Sequence, residues 1–259
     1  MKKGTFYTFV VMLVSASVLL SSCAMATPEP TATSTPEPPT STPTLEPTST
    51  ITPTATITLT PTATLDLAAT KQTEDFAAVV KEYHEAGYIS STTGTYNFIG
   101  TNVSKWAQLN YYIWEDMDYS PTNFIIKSDI SWRSASPAAN TSGCGYVFRL
   151  QDDEDSDHYM FYISLKGYVE LATNIGRWKS MGKGFYGNPA QNGGAKVVLI
   201  VEDNVFRVLV NDKLIKTYSG FAGKLTTGDL AYTVLSGINK SYGTECKFKD
   251  TELWTITKP

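Results

Sequence analysis

The sequence predicts an all-β fold, an antiparallel β-sandwich of the jelly-roll kind, and three observations carry that expectation. The first is alternation. In the run beginning at Asn123, Phe124, Ile126, Ser128, Ile130 and Trp132 fall on one face, and Ile125, Lys127, Asp129, Ser131 and Arg133 on the other. Such a period-two pattern describes a strand with one face on a core and the other near water. The second is punctuation. Ser136-Pro137, the acidic run Asp152 to Asp157, Lys166-Gly167, Asp203-Asn204 and Asn211-Asp212 separate short apolar runs at turn spacing. The third is packing: a meander of half-apolar strands cannot hide its apolar face alone, so a second sheet must cover it.

Taken in order, the predicted strands are Tyr96–Ile99, Ala107–Trp114, Phe124–Arg133, Cys144–Leu150, Tyr159–Leu165, Tyr168–Leu171, Lys196–Val201, Val205–Val210, Lys213–Tyr218, Leu230–Leu235 and Cys246–Ile256. One segment departs from period two. From Leu65 to Ala86, Leu65, Ala69, Phe76, Val79, Val80, Tyr83 and Ala86 recur at three- and four-residue spacings, with Thr64 or Asp66 as N-cap and Gly87 as the stop. This predicts one α-helix laid on the sandwich by its apolar stripe. Self-association through that stripe is the alternative.

The chain has 259 residues and a net charge of −4, and its basic residues are scattered, which gives no basis for a nucleic-acid surface. Lys2 and Lys3 precede an apolar run from Phe6 to Leu20, the charged and hydrophobic regions of a signal peptide. Leu20-Ser21-Ser22-Cys23 resembles the lipobox of bacterial lipoproteins. The resemblance implies cleavage before Cys23, lipidation of Cys23 and a membrane anchor at the cell surface. Ala24, where Asp would signal inner-membrane retention, agrees with an outward location. The alternative is an ordinary signal peptide cut after Ala24-Met25-Ala26. Residues 27–64 hold nine of the thirteen prolines and sixteen threonines, with no apolar periodicity. Such a segment is expected to be a disordered or polyproline-like linker, reaching on the order of 100 Å at about 3.1 Å per residue. The expected organisation is a signal peptide (1–22), a lipidated cysteine with linker (23–64), an amphipathic helix (65–87) and the β-sandwich (88–259).

Gly145-Tyr146-Val147-Phe148-Arg149, Tyr159-Met160-Phe161-Tyr162-Ile163, Gly167, Val208-Leu209-Val210-Asn211-Asp212 and Phe248 to Trp254 mark strand and turn positions. In these the chain resembles the concanavalin A-like lectin/glucanase superfamily over residues 95–257, above all its laminin-G-like and 3-keto-disaccharide hydrolase-like members. Asp212 stands where that pattern often has Gly, and Lys249 where it often has Asp. The resemblance implies a fold and carries no catalytic residue across.

Laminarinase-type enzymes of that fold place E-x-D-x-x-E on a strand, since a retaining glycosidase needs two carboxyl groups about 5–5.5 Å apart. Neither Glu115-Asp116-Met117-Asp118 nor the 152–157 run matches that spacing. Asp152, Asp153, Asp155 and Asp157 offer oxygens for Ca²⁺, or form a solvated loop whose charge discourages sheet-edge pairing. His84 and His158 are too far apart in sequence to suggest zinc.

Sugar recognition needs aromatic faces for pyranose C–H groups, with amide or carboxylate groups beside them. Trp178, Tyr186, Asn188 and Asn192 are the candidate ligand-binding residues, in what reads as a glycine-rich loop from Gly176 to Gly194 that also holds Phe185. Trp106, Tyr111, Tyr112 and Trp114 form a second cluster, and Trp132 and Trp254 belong to the core pattern. Lipidation of Cys23 leaves Cys144 and Cys246 as an even pair in an oxidising compartment, which predicts a disulfide. Their expected place is one end of a single sheet. Together these features predict a surface-anchored module binding polysaccharide or glycoconjugate. A structural or protein-interaction domain with buried rings and a glycoside-processing enzyme are the alternatives.

Overall fold

The computed structural model describes residues 66–109, 111–137, 141–152, 156–219 and 225–258. Cys23, the signal-peptide and linker segments, and Asp153 and Asp155 lie outside the described residues. Among the described residues, one helix, α1 (Leu67–Glu85), precedes twelve strands. They are β1 (Gly94–Trp106), β2 (Tyr111–Tyr119), β3 (Phe124–Ser134), β4 (Gly143–Leu150), β5 (His158–Ser164) and β6 (Tyr168–Asn174). Then follow β7 (Trp178–Phe185), β8 (Asn192–Glu202), β9 (Val205–Val210), β10 (Lys213–Tyr218), β11 (Asp229–Ser236) and β12 (Thr244–Ile256).

Two six-stranded antiparallel sheets form the sandwich, ordered β1-β12-β3-β8-β9-β10 and β2-β11-β4-β5-β6-β7. The alternation read from β3 holds. Phe124, Ile126, Ile130 and Trp132 point into the core between the sheets, where Tyr146, Phe161, Phe206 and Phe248 meet them. Ser128 sits buried in the same row because its hydroxyl is satisfied by Thr251 at 2.8 Å and Tyr146 at 2.7 Å.

The helix docks on the outer face of the first sheet. Phe76, Val80 and Tyr83 cover Ile125, Val198, Ile200, Leu209 and Trp254. Asp66 is its N-cap, accepting from the Ala68 and Ala69 amides. Lys127 reinforces the contact, pairing with Glu252 and lying 4.9 Å over the Phe76 ring.

Three expectations change. Residues 107–109 are outside any strand; β1 runs on to Trp106 through register shifts around Gly100, and β2 starts at Tyr111 and runs to Tyr119. The supposed 176–194 loop is mostly strand: Trp178 to Phe185 form β7, Asn192 opens β8, and only 186–191 connect them. Gly182, at φ +123°, sits at a register shift opposite Leu171 and Ala172, which hides β7's alternation. Cys144 and Cys246 are bonded, with Cα atoms 5.8 Å apart, but they lie on opposite sheets rather than at one end of a single sheet.

Candidate functional site

The outer face of the second sheet gathers the rings that sequence alone left apart. Along β4, Cys144 and Tyr146 face the core, so Gly143 and Gly145 face outward by alternation. They lie in register between β11 and β5: Gly143 beside Leu235 and Ser164, Gly145 beside Thr233 and Tyr162. A Cβ at Gly145 would stand 1.9 Å from the Phe161 carbonyl oxygen and 2.6 Å from the Tyr162 Cα. These glycines therefore keep the middle of the face low, and larger side chains rise on both flanks.

From β2, Tyr112 and Trp114 lean over this floor. From β7, at the opposite edge, Trp178 meets Tyr112, their ring centroids 5.4 Å apart. In a flat sheet five strand spacings would separate these edges by about 24 Å. Ring contact means that the sheet twists and curls strongly across its width. Val147, Met160, Tyr162, Ala231 and Leu235 form the buried apolar base. This is why β4 and β5 are buried on both faces rather than on one.

The curl encloses a pocket of about 290 Å³, lined by Tyr111, Tyr112, Thr141, Tyr162, Trp178 and Leu235. That volume is at the small end of the roughly 300–1,000 Å³ typical of ligand pockets. Around it Trp114 is 40%, Trp178 45% and Tyr111 65% exposed, too open for rings serving only as core.

Polar groups beneath the rings are fixed. His158 is fully buried and packs against Tyr112 and Trp114, with centroids at 5.8 and 5.5 Å. Its Nδ1–H is assigned as donor to the Ser156 carbonyl, which leaves Nε2 to accept the Tyr112 hydroxyl at 3.0 Å. Burial pushes the imidazole below its ordinary pKa, more than the Ser156 carbonyl and the Asp157 charge raise it. Burial also pushes the Tyr112 phenol up to about 12. The Tyr162 hydroxyl donates to Glu170 at 2.9 Å, and burial, then the Glu170 charge, raise its pKa.

Of the four candidate ligand residues only Trp178 reaches this pocket. Tyr186 is half-buried on the core, its hydroxyl donating to the Ser164 carbonyl at 2.9 Å. With Asn188 it lines a different hollow beside Trp132. The Asn192 side chain accepts from the Ser134 amide at 3.4 Å. The structure thus divides the four and joins Trp178 to Tyr111, Tyr112 and Trp114. Tyr162 and Glu170 were missed. Period two on Tyr162 and Tyr168-Val169-Glu170 was the available signal, since it puts both on outward positions. Trp132 and Trp254 are buried as expected. At the acidic loop, Asp152 is exposed and Asp157 accepts the Gly176 amide at 2.9 Å.

No family model matches this chain, and no curated protein matches it. Among solved structures it is similar to the carbohydrate-binding module CBM66 from Bacillus subtilis, at 11% identity and TM-score 0.46, over 61% of this chain and 94% of that one. It is similar to a Bacillus subtilis protein of unknown function with a galectin-like fold, at 12% and 0.44, over 64% and 90%. A third is the Ruminococcus gnavus IT-sialidase CBM40 bound to α2,3-sialyllactose, at 12% and 0.41, over 63% and 95%. Identities this low give no residue correspondence to carry over.

Proposed function

We propose that this chain is a glycan-binding module, tethered to the bacterial cell surface through a lipid on Cys23. The observation that carries the binding assignment is a small pocket lined by the exposed rings of Tyr111 and Trp178, with half-exposed Trp114 packed against its lining residue Tyr112. Exposed aromatic faces supply the apolar contact that pyranose C–H groups need, and the lining hydroxyls of Tyr111, Tyr112 and Tyr162 carry oxygens that can accept from a sugar hydroxyl.

A glycan array probed with the purified full chain tests this. Trp178→Ala and Trp114→Ala are each expected to weaken the strongest signal about tenfold, the loss that ~1.4 kcal/mol of stacking produces. Absence of any glycan signal at high protein concentration overturns the assignment. The anchor is tested separately: wild type is expected in the detergent phase, and Cys23→Ala is expected to be released or misprocessed. Identical fractionation of the two would remove the lipid anchor.

A further inference from the structure

Among the described residues, four of the six lining the pocket are aromatic, and none is charged. Two of its hydroxyls already donate within the protein, that of Tyr112 to His158 and that of Tyr162 to Glu170. A ligand group entering here finds mostly π-faces, with hydroxyl oxygens as its acceptors. A carboxylate stands directly behind one of the rings. A phenol that donates to a carboxylate carries more electron density on its ring, which strengthens attraction for a cation over its face.

No basic residue is among the described residues that line the pocket, although Lys183 lies in register with Glu170 on the neighbouring strand. Arg177 and Lys179 flank Trp178 but do not line the pocket, and Lys179 points to the other side of β7 by alternation. The Lys183 ammonium lies 4.5 Å over the Tyr168 ring. A primary ammonium or a guanidinium carries three or five N–H donors, each of which must be satisfied on entering a mostly aromatic pocket. A quaternary ammonium has no N–H to satisfy.

We propose that the pocket takes a methylated ammonium group, a choline-type head borne as a substituent on a surface glycan. The glycan part of this rests on the function proposed above; the ammonium part rests on the pocket alone.

Choline and its uncharged isostere 3,3-dimethylbutan-1-ol differ in charge and hardly in shape, so they isolate the cation term. Both are titrated into the full chain by calorimetry, with saturation-transfer NMR reading the methyl signals. Choline is expected to bind about tenfold more tightly than the alcohol. Trp178→Ala is expected to abolish the saturation transfer, and Glu170→Gln to weaken choline severalfold. Should Trp178→Ala lose its fold, Tyr111→Ala, whose ring is largely exposed, supplies the same test. Equal or tighter binding of the alcohol overturns the inference. If the chain binds unsubstituted glycans while choline and the alcohol remain equal, the ammonium assignment falls and the glycan assignment stands. If choline binds and no glycan does, the reverse holds. Tighter binding of a trimethyllysine peptide than of a choline-substituted oligosaccharide overturns the glycan-borne form of the ligand.

Discussion

His158 shows at the level of one residue how the site is held. Its imidazole is neutral because charging it would mean solvating an ion beneath Tyr112 and Trp114. The sign of the resulting pH effect follows from linkage. In the unfolded chain the group titrates near 6.5; folded, it titrates lower, so the unfolded state binds more protons in the window between. Stability contributed by His158 is full above about pH 6.5 and is lost as pH falls through that window. The expected result is an imidazole Cε1–H resonance whose NMR titration midpoint lies below the ordinary histidine value, together with a denaturation midpoint that drops on acidification. A midpoint at or above the ordinary value would show that the ring is not buried as described. Protonation would also turn Nε2 into a donor and break the Tyr112 bond as it stands. Any ligand held by Tyr112 and Trp178 is therefore expected to bind more weakly once acidification protonates His158, which happens below the ordinary histidine range.

At the scale of elements, α1 belongs to the sandwich's energetics. It covers Ile125, Val198, Ile200, Leu209 and Trp254, which would otherwise form an apolar patch on the first sheet. Phe76 lies at the centre of that contact, 6.2 Å from Trp254 and 5.7 Å from Tyr96 between ring centroids. Phe76→Ala is expected to destabilise the chain by about 3–5 kcal/mol, read as a lowered urea midpoint at unchanged slope. A loss below about 1 kcal/mol would mean that the helix is not bound to the sheet. This helix was legible because its three- and four-residue spacing contrasts with period two everywhere else. The β8–β9–β10 turns were legible for a different reason. Asp203, Asn211 and Asp212 have φ of 50°, 49° and 63°, the left-handed region that Asn and Asp tolerate and tight hairpins require. Strand β7 was not legible. It is an edge strand pairing on one side only, and its glycines at 182 and 184 interrupt the alternation.

Across the whole molecule, what sequence could not supply was the meeting of distant parts. Trp178 and the Tyr111–Trp114 cluster stood out locally as ring-rich segments. Their convergence depends on the twist of six strands, and no local pattern records it. The same holds for the disulfide. Parity identified Cys144 and Cys246, yet their placement at one sheet end failed because β4 and β12 belong to different sheets. Facing sheets are ordinarily about 10 Å apart, so a Cα separation of 5.8 Å marks a corner where the two converge. Buried hydroxyls hold that corner: Thr244 bonds Ser142 at 3.0 Å, and the Ser142 hydroxyl accepts the Gly237 amide at 3.1 Å. The bond closes a span of 102 residues, for which the chain-entropy estimate is about 4–5 kcal/mol, with less usually realised. Cys144→Ala/Cys246→Ala is accordingly expected to lose about 2–5 kcal/mol by denaturant unfolding while keeping its native circular dichroism. Because both cysteines are fully buried, reductant is expected to act on wild type only once it unfolds. Intact mass after alkylation under denaturing, non-reducing conditions should show neither Cys144 nor Cys246 modified. Two added alkyl groups on that pair would mean free thiols, and the sheets at this corner would then be held by packing and the Ser142 hydroxyl cluster alone.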